Sequence, residues 1–256
     1  MATTEPVPLP DLPAQVARVL TDFVSAAQTA FANELRGVVL FGSAAEGRLR
    51  ATSDVNLLII LSNFDEARAG ELRNPLRVAQ AAIRLSPMFV LEAELPSAVT
   101  AFAEKFSGML RRRKVLVGSD PFVGVKIPRE ILITRLDQVL LNLILRLREA
   151  YVMRGLREEQ LALAIADAAG PLRACAATLL ELEGQTISSP KAALEKFLHE
   201  SSNSKWIEAH QQVSRIRDKT ALPVGATGLC VLHLIEITRA FRAPLSALKE
   251  ATLACV

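Results

Sequence analysis

Two apolar strand candidates joined through a glycine–serine turn constrain this chain more than any other feature. Val38-Val39-Leu40-Phe41 is a short run of β-favouring residues, and Gly42-Ser43 interrupts it. Ten residues later the chain reads Asp54-Val55-Asn56-Leu57-Leu58-Ile59-Ile60-Leu61. That segment is apolar almost throughout, as expected of a strand buried on both faces. Side chains alternate along a strand, so Asp54 and Asn56 share one face. Gly42 lets the backbone approach an anion closely, and Ser43 offers a hydroxyl and an N–H to phosphate oxygens. Carboxylates at both 54 and 56 would share divalent ions and clamp the oxygens of a phosphoryl transfer. Here the second of the two is an amide.

The surroundings supply further elements. Asp11 and Pro13 open a helix that runs to about Leu35, and Pro75 to Leu85 reads as another. Met88 to Leu91 is a third strand candidate, and Val115-Leu116-Val117-Gly118 a brief fourth. Residues 97–113 fit two patterns. Val99, Phe102, Phe106, Met109 and Leu110 suit a helix, whereas Phe102, Glu104 and Phe106 alternate as a strand would. After Pro128 only helical periodicity remains, beginning with a long amphipathic stretch over 129–153. The expected architecture is an α/β (α+β) domain with a small mixed sheet over residues 1–125, then an all-α helical bundle over 126–256.

Composition narrows the function classes. Thirty basic and 27 acidic residues leave a net charge of +3, too mild to imply nucleic-acid binding. The run Arg111-Arg112-Arg113-Lys114 is the densest basic stretch, but no aromatic residue is interleaved to stack bases. Half of the residues are hydrophobic, enough for a sizeable core. The longest uncharged run, Thr220 to Ile235, falls short of the ~18–20 apolar residues of a membrane span. The N-terminus has neither the basic nor the apolar region of a signal peptide. Three scattered cysteines argue against a disulfide framework, so a cytoplasmic protein without a membrane partner is expected.

The strand, Gly42-Ser43, the ten-residue interval and Asp54-Val55-Asn56 together resemble the signature of the DNA polymerase β-like nucleotidyltransferase superfamily. The match covers residues 37–61, and the order of a preceding helix and a helical C-terminal domain is similar to bacterial small-substrate members. The resemblance implies transfer of a nucleoside monophosphate from a nucleoside triphosphate, such as ATP, to a hydroxyl of a small-molecule acceptor, with two Mg²⁺ ions. Gly42, Ser43 and nearby cations such as Arg48, Arg50 and Lys105 would then hold the triphosphate, and Asp54 would ligate metal.

Two departures weaken that chemistry. Asn56 stands where the family has its second aspartate, and an amide brings no charge to a hard cation. The third carboxylate belongs on a later strand. If that strand is Phe102 to Met109, Lys105 falls at the position, and a one-residue slip substitutes Glu104. Glu92 and Glu94 are further alternatives. Lys105 beside Asp54 would replace metal with a built-in cation. The expected function is therefore a nucleotidyltransferase-family protein that binds a nucleoside triphosphate, with Mg²⁺ weak or absent and transfer reduced or lost. The alternatives are an active adenylyltransferase using Asp54, Asn56 and one glutamate, and a non-catalytic module forming a homodimer through its helices.

Overall fold

The computed structural model describes residues 10–49, 53–217, 223 and 225–253. Arg50, one of the candidate cations, and Cys255, one of the three cysteines, lie outside them. The described residues divide into two compact units, those up to Ala101 with Gly108–Lys126, and Phe102–Ser107 with those from Ile127 onward.

The first unit is built on a four-stranded mixed sheet. Helix α1 (Ala14–Phe31) leads through a 3₁₀ turn into β1 (Leu35–Phe41). The second strand, β2 (Val55–Leu61), is followed by α2 (Glu66–Glu71), α3 (Arg73–Ile83) and β3 (Leu85–Leu91). Then come α4 (Leu95–Ala101), α5 (Ala103–Arg111) and β4 (Arg113–Val117). The strand order is β3-β2-β1-β4. β1 runs antiparallel to both β2 and β4, while β2 and β3 are parallel and joined through the helical crossover. Val38, Leu40, Leu57, Ile59 and Leu61 are fully buried, packed with Leu20, Phe23 and Phe31 of α1. Both faces of β2 are buried, which accounts for its continuous apolar run. Pro87 sits in β3, an edge strand, where a missing N–H costs no ladder hydrogen bond.

Of the two patterns open for residues 97–113, the helical one holds. Residues 102–109 do not form a strand; all but Phe102 lie in helix α5. Ala103, Phe106 and Met109 are buried at three-residue spacing, a helical interval, whereas Phe102 is 60% exposed. The apparent alternation of Phe102 and Phe106 thus joined one surface residue to one core residue.

The second unit is helical: α6 (Arg129–Arg154), α7 (Glu158–Leu182), α8 (Pro190–Ser201), α9 (Ser204–Arg217) and α10 (Ala226–Leu253). Leu136, Leu140, Ile165, Cys175, Leu179, Leu234 and Phe241 anchor its core. Ser189 caps α8 by accepting the Ala192 N–H at 3.2 Å, with Pro190 in the first turn. Helix α7 is long and apolar enough to cross a membrane by length and composition, but 56% of that stretch is buried inside the structure, as in a core helix.

Candidate functional site

The antiparallel and parallel pairings bring the end of β1 and the starts of β2, β3 and β4 to one end of the sheet. Phe41 pairs with Asn56, so the Gly42-Ser43 turn lies beside the first residues of β2. Gly42 has φ +78°, a conformation that favours glycine, and a Cβ there would stand 3.7 Å from Asn56 Nδ2. The Asn56 amide donates back to the Asp54 carbonyl at 3.3 Å. On the other side of β2, the parallel register sets Leu85 beside Val55 and Ser86 beside Asn56. One step earlier along the same register, Arg84 Nε donates to Asp54 Oδ1 at 2.7 Å. The result is a polar row across three strands: Gly42 and Ser43, then Asn56 and Asp54, then Ser86 and Arg84.

Arg84 is held in place by backbone as well as by its side chain. It closes α3 with φ 53° and ψ 41°, and its carbonyl accepts the Val55 N–H at 3.3 Å. A non-glycine residue in this left-handed region costs of order 1–3 kcal/mol. Asp54, Arg84, Ser86 and Gln80 line an open cleft of about 390 Å³ with Leu76, Leu85 and Pro87. Both members of the ion pair are at least half exposed, so the pair itself stabilises the fold by only ~0–1 kcal/mol.

The Gly42 N–H is already donated to the Arg112 carbonyl at 2.9 Å, which ties the turn to the start of β4. The donor the turn offers an anion is therefore Ser43 rather than Gly42. The Ser43 carbonyl accepts the Arg48 N–H at 2.9 Å, closing the following turn and placing exposed Arg48 close by in sequence and structure.

The strand beside β2 is β3, and its residue level with Asn56 is Ser86. Lys105 and Glu104 lie on helix α5, so the strand alignment that set either beside Asp54 does not exist. Glu92 lies beyond the far end of β3 and pairs with Arg36 at 3.5 Å. Glu94 there accepts the Leu91 N–H at 2.9 Å. The cation beside Asp54 is Arg84, a residue the sequence reading missed. Its signal was available only through the register: it immediately precedes the strand parallel to β2.

The donor set does not fit a two-magnesium site. Mg²⁺ takes near-octahedral oxygen ligands, with one or two protein carboxylates beside waters and substrate phosphates, so a pair of ions needs several carboxylates. Asp54 is the single carboxylate of the row, and Arg84 engages it; Asn56 and Ser86 bring no charge. Among the described residues, no group of three or more His, Cys, Asp or Glu side chains is gathered to hold a metal ion.

The opposite edge of the same sheet end carries a second arginine–aspartate pair. Arg113, first residue of β4, reaches Asp120 through Nη2 at 2.7 Å and through Nε at 3.1 and 3.2 Å. It also donates to the Leu110 carbonyl and lies 5.6 Å from the Phe122 ring centre. The Arg113 hydrogen bond, helped by the Phe122 N–H, holds the Asp120 carboxyl below its ordinary value. Arg112 is 3.8 Å from Glu46. Two members of the basic run are thus committed to carboxylates of their own unit.

No protein-family model matches the chain, and no curated protein matches it. Among solved structures, it is similar to the spectinomycin adenyltransferase AAD(9) from Enterococcus faecialis, determined with ATP and spectinomycin. The TM-score is 0.62 at 14% identity, over 87% of this chain and 99% of that one. The two share a fold. A small mixed sheet with helices, followed by a helical region, is the architecture of that nucleotidyltransferase, as expected for the first and second parts of this chain.

Proposed function

We propose that this chain binds a nucleoside triphosphate, ATP by analogy with AAD(9), at the end of its sheet, and that nucleotidyl transfer is reduced or lost. The observation that carries the reading is the polar row itself: a Gly42-Ser43 turn, Asn56 and Asp54 gathered at one sheet end, in a fold shared with an enzyme solved with ATP. Ser43 would donate to phosphate oxygens, with Arg48 as a nearby cation. The acceptor, if transfer persists, would be a small molecule bearing a hydroxyl. Against full activity stand Asn56 and Ser86, which supply no charge where metal carboxylates are needed. The buried, unpaired thiols of Cys175 and Cys230 support a reducing, cytoplasmic setting.

Calorimetry of the full chain with ATP tests the reading, paired with a pyrophosphate-release assay on hydroxyl-bearing acceptors. The expected result is ATP binding with little or no pyrophosphate release, and weaker binding in Ser43→Ala. Rapid release would establish an active transferase instead. Failure to bind any nucleoside triphosphate would leave the helical-module reading, which the exposed row Leu141, Leu145 and Val152 on α6 favours; sedimentation would then show a dimer.

A further inference from the structure

We propose that Arg84 is a resident cation that takes the place of a divalent metal, so that this site accepts the triphosphate of a nucleotide without metal. The inference rests on the nucleotide-binding reading above and adds to it the chemistry of the pocket. Three observations support it. First, Arg84 Nε lies 2.7 Å from Asp54 Oδ1, the carboxylate that any Mg²⁺ in this fold position would need. Second, the placement is fixed by backbone: the parallel β2–β3 register and the Val55 N–H to Arg84 carbonyl bond set residue 84 beside residue 54. Third, Arg84 adopts φ 53°, where glycine or asparagine would be at ease, and a strained non-glycine residue lining a cleft points to a role for its side chain.

Electrostatics favours the same conclusion. A row of several carboxylates repels a triphosphate until metal ions compensate it. Here one carboxylate faces one guanidinium, Asn56 and Ser86 are neutral, and the row is balanced without any ion. An arginine is always charged and presents donors in a planar fork suited to phosphate oxygens. Only Nε is engaged by Asp54 in the structure, on a side chain that is 61% exposed and lines the 390 Å³ cleft.

The test is calorimetric titration of the full chain with ATP, once in excess EDTA and once in MgCl₂. The unmodified protein should bind equally well in both. Arg84→Gly suits the left-handed backbone and removes only the side chain, so folding should survive. It should weaken ATP binding in EDTA by about tenfold to a hundredfold, the scale of a lost charge-assisted hydrogen bond. Arg84→Lys, which keeps the charge but not the fork, should fall between the two. ATP binding by the unmodified protein in MgCl₂ alone overturns the inference while leaving the nucleotide-binding reading intact. So does an Arg84→Gly protein that binds ATP in EDTA as tightly as the parent. No binding under either condition overturns both.

Discussion

Two arginine–aspartate pairs of equal length sit at opposite edges of one sheet end, and their settings differ. Arg113 and Asp120 are largely covered, joined by several hydrogen bonds, and backed by the Phe122 ring and N–H. Arg84 and Asp54 share one hydrogen bond in an open cleft, on a strained backbone. The first pair closes β4 onto the loop that follows it. The second adds little to stability and keeps most of its donors accessible. The same contact distance therefore marks a brace on one edge and an available cation on the other, and only the surroundings distinguish them.

The largest expected effect comes from converting the open edge into a metal site. Asn56→Asp with Ser86→Glu and Arg84→Gly should raise Mg²⁺ binding well above that of the parent chain, read by calorimetry with MgCl₂. If the triple variant folds and binds no more Mg²⁺ than the parent, the strand register does not define the site. Next, Arg113→Ala should destabilise the first unit by about 1–3 kcal/mol, because it strands a partly covered carboxylate and uncovers Phe122. A denaturant midpoint unchanged from the parent would mean the covered pair is no brace.

A smaller effect is pH-dependent. Asp120 has its carboxyl pKa lowered on folding, first by the Arg113 hydrogen bond. The unfolded chain thus takes up the proton first as pH falls. The stabilisation is present above the ordinary value of 3.8 and is lost as pH falls through the lower folded value. The stability gap between the parent and Arg113→Ala should accordingly be constant near neutrality and narrow below pH 3.8, as followed by urea unfolding. A gap that persists at lower pH would assign the loss to packing on Phe122. Smallest of all is Arg84→Gly. It gives up an exposed pair worth ~0–1 kcal/mol and relieves a left-handed residue that costs of order 1–3 kcal/mol, while glycine loses more chain entropy on folding, so the midpoint should hold or rise slightly. A loss of several kcal/mol would make Arg84 a structural residue and blunt the contrast.

What the sequence revealed follows from how each element is buried. β2 was legible because both its faces are covered, which forces a continuous apolar run from Leu57 to Leu61. The Gly42-Ser43 turn was legible because only a few residue types tolerate φ +78°. β3 was seen only in its second half, since Ser86 is exposed at the sheet end and Pro87 disguises an edge strand. Residues 102–109 were undecidable from spacing, because Phe102 and Phe106 fit two periods and burial alone separates them. Arg84 was invisible for a different reason. Its meaning comes from pairing with a residue thirty positions away, and no local pattern in the chain announces an arginine in a left-handed cap.

Helix α5 carries one more consequence, for the order in which the protein is made. Its first half counts with the helical unit and its second half, with β4, counts with the sheet, so neither unit is a single continuous stretch of chain. A ribosome releasing this chain therefore delivers β1, β2 and β3 well before β4 can close the sheet. In the interval the β1 edge is unpaired, with Val38 and Val39 open to mispairing. A stalled chain ending near residue 101 should be the most aggregation-prone length of the whole sequence, and one extended past Val117 should not.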